Sequence, residues 1–368
     1  MKIVYISNSI IPSRNANSIH VMKMCQAFAD NGHEVVLLAP LHKSNISNIN
    51  LYDYYGVKES FKIEFIPFLN IPKLWLFSYA FNSYKYIKKV CFDIVYGRDL
   101  KGCYLATKTS DKQKVIYEPH KPFEKHNFVD KHVLNLLIKQ TSFFKLVVIS
   151  DALRKMYLNL STFKNCKIYV AHDGADTPID DAKIKSICNQ KKLNIGYTGH
   201  LYQGRGIDIV LEIAKNLKYM EFHIVGGNPD DIRYWKSKSS IDNVTFHGFI
   251  EPSEVYKYVN SFDVLLAPYQ NKVSIAGKDD SSKYMSPLKV FEYMASKKAI
   301  VISDLPVLHE VLENNKTALF VKYNNVDEWC DAIIKLKDDK YRNSLAQNVN
   351  DEFISNYTWL ERAKNVIK

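Results

Sequence analysis

Leu193-Asn-Ile-Gly-Tyr-Thr-Gly-His-Leu-Tyr-Gln-Gly-Arg-Gly206 is an apolar run that breaks at a glycine and enters a glycine-rich loop. Leu193–Thr198 reads as a buried strand and Gly206–Leu217 as the helix that follows it. The chain opens in the same way, with Lys2–Ser7 and Glu34–Ala39 reading as strands. Between them, Ser18 is expected to cap a helix that carries Val21, Cys25 and Phe28 on one face and stops at Gly32. Apolar runs at 92–96, 115–117, 146–149 and 168–170 continue the first half. A polar stretch at 176–192 follows, and then the pattern restarts. Strands are expected at 193–198, 221–225, 244–247, 263–267 and 299–303, and helices at 206–217, 251–259 and 287–296. The expectation is an α/β chain of two βα domains, 1–175 and 176–356, with a terminal helix near 357–368 returning to the first. Open sheets of this kind bind ligands beyond the carboxyl ends of their strands.

The length of 368 residues suits two domains, and 46% hydrophobic residues are enough to bury two cores. Net charge is +11, and its distribution is uneven. Residues 1–175 hold 24 Lys and Arg against 13 Asp and Glu, whereas 176–368 hold 26 of each. The first half is therefore expected to meet something anionic. Six scattered cysteines form no CxxC pair, which excludes the usual zinc and redox patterns. No run of 18 apolar residues exists to span a bilayer, and the apolar start is too short for a signal peptide. The reading is a cytoplasmic protein.

Three stretches carry a resemblance: Tyr-Thr-Gly-His-Leu-Tyr-Gln-Gly-Arg-Gly (197–206), Val-Thr-Phe-His-Gly-Phe-Ile (244–250) and Ser-Pro-Leu-Lys-Val-Phe-Glu-Tyr-Met-Ala (286–295). In order and spacing they resemble the retaining glycosyltransferases of family 4. That resemblance implies the GT-B fold, two Rossmann-like βα domains facing a central cleft. It also implies a nucleotide-sugar donor in the second domain, UDP-linked in preference to GDP-linked, and an acceptor hydroxyl in the first. No cofactor and no metal are expected. By family habit the product is bacterial surface polysaccharide, capsule or lipopolysaccharide.

A leaving diphosphate needs positive charge, and placed cations or a helix N-terminus can supply it. Arg205, between Gly204 and Gly206, matches the family's basic residue for that group. Gly199 matches a glycine that lets phosphate approach, and His200 stands where a basic residue is more usual. Ser286 is expected as an N-cap and Pro287 as the first helical residue. Lys289 then falls in the first turn, where a cation opposes the helix dipole and suggests a phosphate partner. Glu292 lies one turn on and matches the ribose-binding glutamate. Ile250, Leu288 and Val290 complete the donor-side expectation. The family's first glutamate is here Tyr284, which puts the sugar in question. The segment 277–283 is expected to close over the donor.

On the acceptor side, His120 in Tyr-Glu-Pro-His (117–120) resembles the family histidine near the transferred sugar. Glu118, Arg98, Asn17 and Ser18 are the further candidates, and Arg98 with Asp99 reads equally well as a structural ion pair. The catalytic set is thus His120, Arg205, Lys289 and Glu292. Asp-Asp pairs at 230–231, 279–280 and 338–339 read as solvated. The basic aromatic stretch 73–89 reads either as a core-facing helix with a lysine face or as a contact with an anionic membrane. Rival functions are a nucleotide-sugar epimerase or phosphorylase on this fold, an inactive scaffold, or nucleic-acid binding. No RNA-binding or helix-turn-helix signature supports the last, so no nucleic-acid partner is expected. A dehydrogenase is disfavoured because no GxGxxG follows the first strand.

Overall fold

The computed structural model describes residues 1–43, 49–72, 74–177, 188, 191–238, 241–275 and 279–368. The segment 277–283 therefore lies partly outside the described residues. The chain divides into two units, Met1–Asp173 with Trp359–Lys368, and Gly174–Thr358.

The first unit is a parallel sheet of seven strands: β1 (Lys2–Ile6), β2 (Glu34–Pro40), β3 (Lys62–Ile66), β4 (Ile94–Gly97), β5 (Lys114–Tyr117), β6 (Phe143–Val148) and β7 (Ile168–Val170). Their order is β3-β2-β1-β4-β5-β6-β7. The direction of winding reverses between β1 and β4, the switch point where open α/β sheets place ligands. Its helices are α1 (Ala16–Asp30), α2 (Leu51–Tyr55), α3 (Trp75–Val90), α4 (Leu100–Ala106), α5 (Phe128–Leu137) and α6 (Asp151–Leu158).

The second unit repeats the plan. It comprises β8 (Asn194–Thr198), α7 (Ile207–Asn216), β9 (Glu221–Val225), α8 (Pro229–Lys238), β10 (Val244–Gly248), α9 (Val255–Ser261) and β11 (Val264–Ala267). A small hairpin, β12 (Ser274–Ile275) with β13 (Asp279–Asp280), precedes α10 (Leu288–Ala295), β14 (Ala299–Ser303) and β15 (Leu319–Val321). Helices α11 (Val326–Lys335) and α12 (Asp339–Asn356) finish the unit, and α13 (Trp359–Val366) belongs to the first. The main sheet runs β10-β9-β8-β11-β14-β15, all parallel, with its switch point between β8 and β11. Its core packs Trp329, Phe222, Ile224 and Leu266 between sheet and helices.

Several local expectations are corrected. Ser18 does not cap α1, which starts two residues earlier after Asn15; the Ser18 hydroxyl instead lies 2.8 Å from the Asn15 carbonyl and 3.0 Å from that of Ser13. Pro287 is the N-cap of α10 and Ser286 precedes it, because extended backbone at Pro287 delays the helix to Leu288. The strand β3 escapes the search for apolar runs because its Lys62-Ile-Glu-Phe-Ile sequence alternates, as an edge strand can. In α3 the expected core-facing stripe is present as Tyr79, Ser83 and Ile87, one helical turn apart.

Candidate functional site

In the second unit, the loop after β8 carries Gly199 to Gly206 across the switch point. Gly204 and Gly206 have left-handed backbone, and a side-chain carbon there would fall 2.1 Å from the Lys272 carbonyl and 1.9 Å from that of Pro268. Their freedom thus serves a close approach to the protein's own backbone, which braces the Arg205 loop against the segment after β11. The amide of Gln270 donates to the Gly204 carbonyl at 3.0 Å and completes the brace. Arg205 is half-buried; its Nη2 reaches the Ser274 carbonyl at 3.3 Å, and its Nε has no hydrogen-bond partner.

Helix α10 enters the same place from below. Tyr293 anchors it: the Thr198 amide donates to the Tyr293 hydroxyl at 2.8 Å. This holds Lys289 under the β8 loop. Lys289 is only 9% exposed, and its ammonium has no hydrogen-bond partner. It sits 3.8 Å from the Tyr197 ring centre and 4.9 Å from that of Tyr269. A side-chain carbon at Gly199 would lie 3.5 Å from its Nζ, so the glycine keeps the ammonium open to the loop. Burial, then the Arg205 charge, push Lys289 well below the ordinary lysine value, against a pull from Glu292. A buried, unpaired cation beside a second cation is expensive. The arrangement makes sense as one half of an anion site.

His200 stacks on Tyr202 at 4.8 Å. Burial, then Arg205 and Lys289, lower its pKa and keep it neutral. Glu292 is half-buried on α10. Tyr284 is buried, its amide bonded to the Ser281 carbonyl. Ser286 is buried too, while Pro287 and Leu288 are half-buried at the helix start. Val290 is wholly buried, so only its backbone is available to a ligand. Ile250 lies past β10, two strands away from β8. The structure therefore gathers Gly199, His200, Arg205 and Lys289, and adds Tyr197, Tyr269 and Tyr293, which sequence reasoning missed. Single buried aromatic residues give no signal of their own. Of the Asp-Asp pairs, Asp338 caps α12 and Asp230 pairs with Arg233.

In the first unit, β5 ends at Tyr117 and delivers Glu118, which is wholly buried, to the carboxyl edge of the sheet. Around it converge His120 (Nε2 to Oε1, 2.6 Å), the Tyr96 hydroxyl, which donates to Oε2, and Arg362 of α13 (Nη2 to Oε1, 2.8 Å). His20 of α1 lies 3.3 Å from the same carboxylate and bonds Asp173 through Nδ1 at 2.8 Å. Burial works to raise the Glu118 pKa, but Arg362 and His20 hold it well below the usual carboxylate range. Burial, then Arg98, push His120 down to about 4. His120 is thus neutral near neutral pH. A carboxylate only accepts, so the neutral ring donates from Nε2 and Nδ1 keeps the lone pair.

Ligand atoms of His20, Glu118 and His120 lie within 4.8 Å of one another, as in a metal site. Yet the Arg362 guanidinium already occupies that carboxylate and repels a cation, so the set is built for ion pairing. Asp99 caps α4 by accepting from the Gly102 amide at 2.6 Å rather than pairing with Arg98. Asn17 donates to Ser9, and its buried side-chain oxygen has no partner. Ser18 is fully buried and satisfied locally.

Residues 18–178 match the family described as Glycosyltransferase Family 4, and residues 192–339 match that described as Glycosyl transferases group 1. Each half of the chain thus matches one glycosyltransferase family model, and the fold is of the GT-B type. A curated relative, an uncharacterized 41.2 kDa protein in the cps region of Klebsiella pneumoniae, is 24% identical over 235 residues. That match covers 59% of this chain and 60% of the relative, so the chain spans less than two thirds of it. Sucrose-phosphate synthase from Thermosynechococcus elongatus has a similar structure, with TM-score 0.75 and 16% identity, over 99% of this chain and 96% of that one. Anabaena HepE, solved with UDP and glucose, gives 0.74 at 13% identity over 100% and 98%. The lipopolysaccharide outer core galactosyltransferase WaaB gives 0.65 at 14% over 100% and 99%. At these identities the solved structures establish the fold alone.

Proposed function

We propose that the chain is a retaining glycosyltransferase that moves a sugar from a nucleotide sugar to a hydroxyl of a glycan or lipid-linked acceptor, in assembly of a bacterial surface polysaccharide. One observation carries this reading: Lys289 is a buried ammonium without a hydrogen-bond partner, beside Arg205 at the switch point of a parallel sheet. A diphosphate there would meet two cations and the start of α10, which is where charge builds as the sugar leaves. The acceptor oxygen bonds the anomeric carbon on the face that the diphosphate leaves, the carbon–phosphate oxygen bond breaks, and the acceptor proton passes to the departing phosphate. Arg205 and Lys289 take up the released charge, Glu292 receives the ribose hydroxyls, and His120 binds the transferring sugar. The UDP bound in the HepE structure supports a uridine donor, and the cps-region relative supports a capsule or lipopolysaccharide setting. Two placed cations make a divalent metal dispensable, and transfer is expected to persist in chelator.

The basic first unit adds a surface. At the start of α3, Leu74, Phe77 and Phe81 are exposed, preceded by exposed Leu69 and Ile71, and Phe128 opening α5 is 85% exposed. Lys101 joins the two helices, its ammonium 5.0 Å from the Phe77 ring centre and 2.5 Å from Asp130. Apolar residues among many lysines suit an anionic bilayer, which supports a peripheral position on the cytoplasmic face of the membrane. No described helix is long and apolar enough to cross a membrane. Incubation with UDP- and GDP-sugars, an acceptor lipid extract and anionic vesicles tests both parts. Absence of turnover of every nucleotide sugar refutes the first, and failure to co-sediment at low salt refutes the second.

A further inference from the structure

The ion-pair network of the first unit contains a residue that neither composition nor motif pointed to. Arg362 is 4% exposed and lies 244 residues beyond Glu118 in the chain. Four further contacts fix its guanidinium. Nη1 reaches Glu118 Oε2 at 3.5 Å and the Met24 sulfur at 3.3 Å, Nη2 donates to the Ala171 carbonyl at 3.2 Å, and Nε donates to the His172 carbonyl at 2.8 Å. We propose that Arg362 is a positioning residue: from α13 it holds Glu118 as an anion and thereby keeps the proton of His120 on Nε2, leaving Nδ1 to accept a hydrogen bond from a sugar hydroxyl. The role of the sugar rests on the transferase reading above, whereas the coupling of Arg362 to His120 does not.

The argument is one of donors and acceptors. Arg362, Tyr96 and His120 all present N–H or O–H groups to one carboxylate, and only the ionised form accepts from all three. Tyr5 of β1 also lies in its field, and His20, tied to Asp173, flanks it from α1. Arg98 faces His120 and disfavours the imidazolium. With Arg362 removed, burial dominates at Glu118 and favours its protonated form. A protonated Glu118 donates to His120 Nε2, and the ring proton moves to Nδ1. The acceptor nitrogen that faced the sugar is then a donor. A residue that merely pinned α13 would cause no such exchange.

The test is the His120 tautomer in the full chain, read by long-range proton–nitrogen correlation on 15N-labelled protein at pH about 7. Wild type is expected to show His120 neutral with the proton on Nε2, and Arg362→Met to show it on Nδ1. Arg362→Lys, which restores a cation, is expected to return the wild-type pattern. In transfer assays, Arg362→Met is expected to lose roughly a hundredfold in kcat with donor KM little changed. Its kcat is expected to rise with pH through an ionisation that wild type lacks over the same range. An Nδ1–H or doubly protonated His120 in wild type overturns the proposal without any variant, which covers an Arg362→Met that fails to fold. So does a folded Arg362→Met with the wild-type tautomer and a flat pH profile. If no preparation transfers sugar yet the tautomer follows residue 362, the transferase reading fails and the coupling stands.

Discussion

The two switch points of this molecule handle buried charge in opposite ways. In the first unit, Glu118 is surrounded by Arg362, His20, His120 and Tyr96, and each charge has a partner within the protein. In the second, Lys289 and Arg205 lie near one another and the Lys289 ammonium has no hydrogen-bond partner. The same sheet topology supports both. A closed network holds a side chain in one state, whereas an open one stores electrostatic cost that a ligand can relieve. On the function proposed above, the second unit receives the anion and the first orients groups.

That contrast can be broken by experiment. The largest expected effect is at the closed network: Arg362→Ala removes the main counter-charge of buried Glu118, which must then take up a proton, and is expected to cost about 3–5 kcal/mol, read by urea denaturation. A loss within the range of a surface substitution would show that the network is not closed. The open site should respond in the other direction. Lys289→Met is expected to lower turnover about a hundredfold or more while stabilising the ligand-free protein by about 1 kcal/mol, because an unpaired buried charge is gone. A destabilised Lys289→Met would mean that the cation already has its partner.

A third experiment sharpens the comparison. With Lys289 held well below its ordinary value in the free protein, a bound diphosphate raises it again, so binding takes up protons. Calorimetry of UDP binding in buffers of different ionisation heat is expected to show uptake of a fraction of a proton, lost in Lys289→Met. Release of protons would contradict it. The smallest effect concerns Asp99, whose burial raises its pKa to about 6. The folded state then holds a proton that the unfolded state has lost, so this group's contribution to stability falls as pH rises from its ordinary value to about 6 and stays constant above. Asp99→Asn, which keeps the cap, is expected to gain on wild type across that window. Glu118 has the reverse sign: its contribution is full above the ordinary carboxylate value and is lost as pH falls through its lowered one.

Much of the fold was legible because buried parallel strands are continuous apolar runs, as in Leu265-Leu-Ala267 and Ala299–Ser303. The edge strand β3 and the short β15 were not, since one alternates and the other has three residues. Arg205 and Lys289 were legible as candidates because glycines and a helix start surround them in the sequence. Their state was not, because burial and the lack of a partner depend on Tyr197, Tyr269 and Tyr293 closing around them. Glu118 stood out only as a neighbour of His120.

The sequence by itself determined two Rossmann-like units, the position of the glycine-rich loop and the basic bias of residues 1–175. These follow from periodicity, turn chemistry and composition, which are local. Only the tertiary structure decided that Arg362 meets Glu118, that His120 is neutral and bonded to Glu118 through Nε2, and that the Lys289 amino group has no hydrogen-bond partner. Protonation states depend on desolvation and on charges a few ångströms away, and chain folding sets those distances across hundreds of residues.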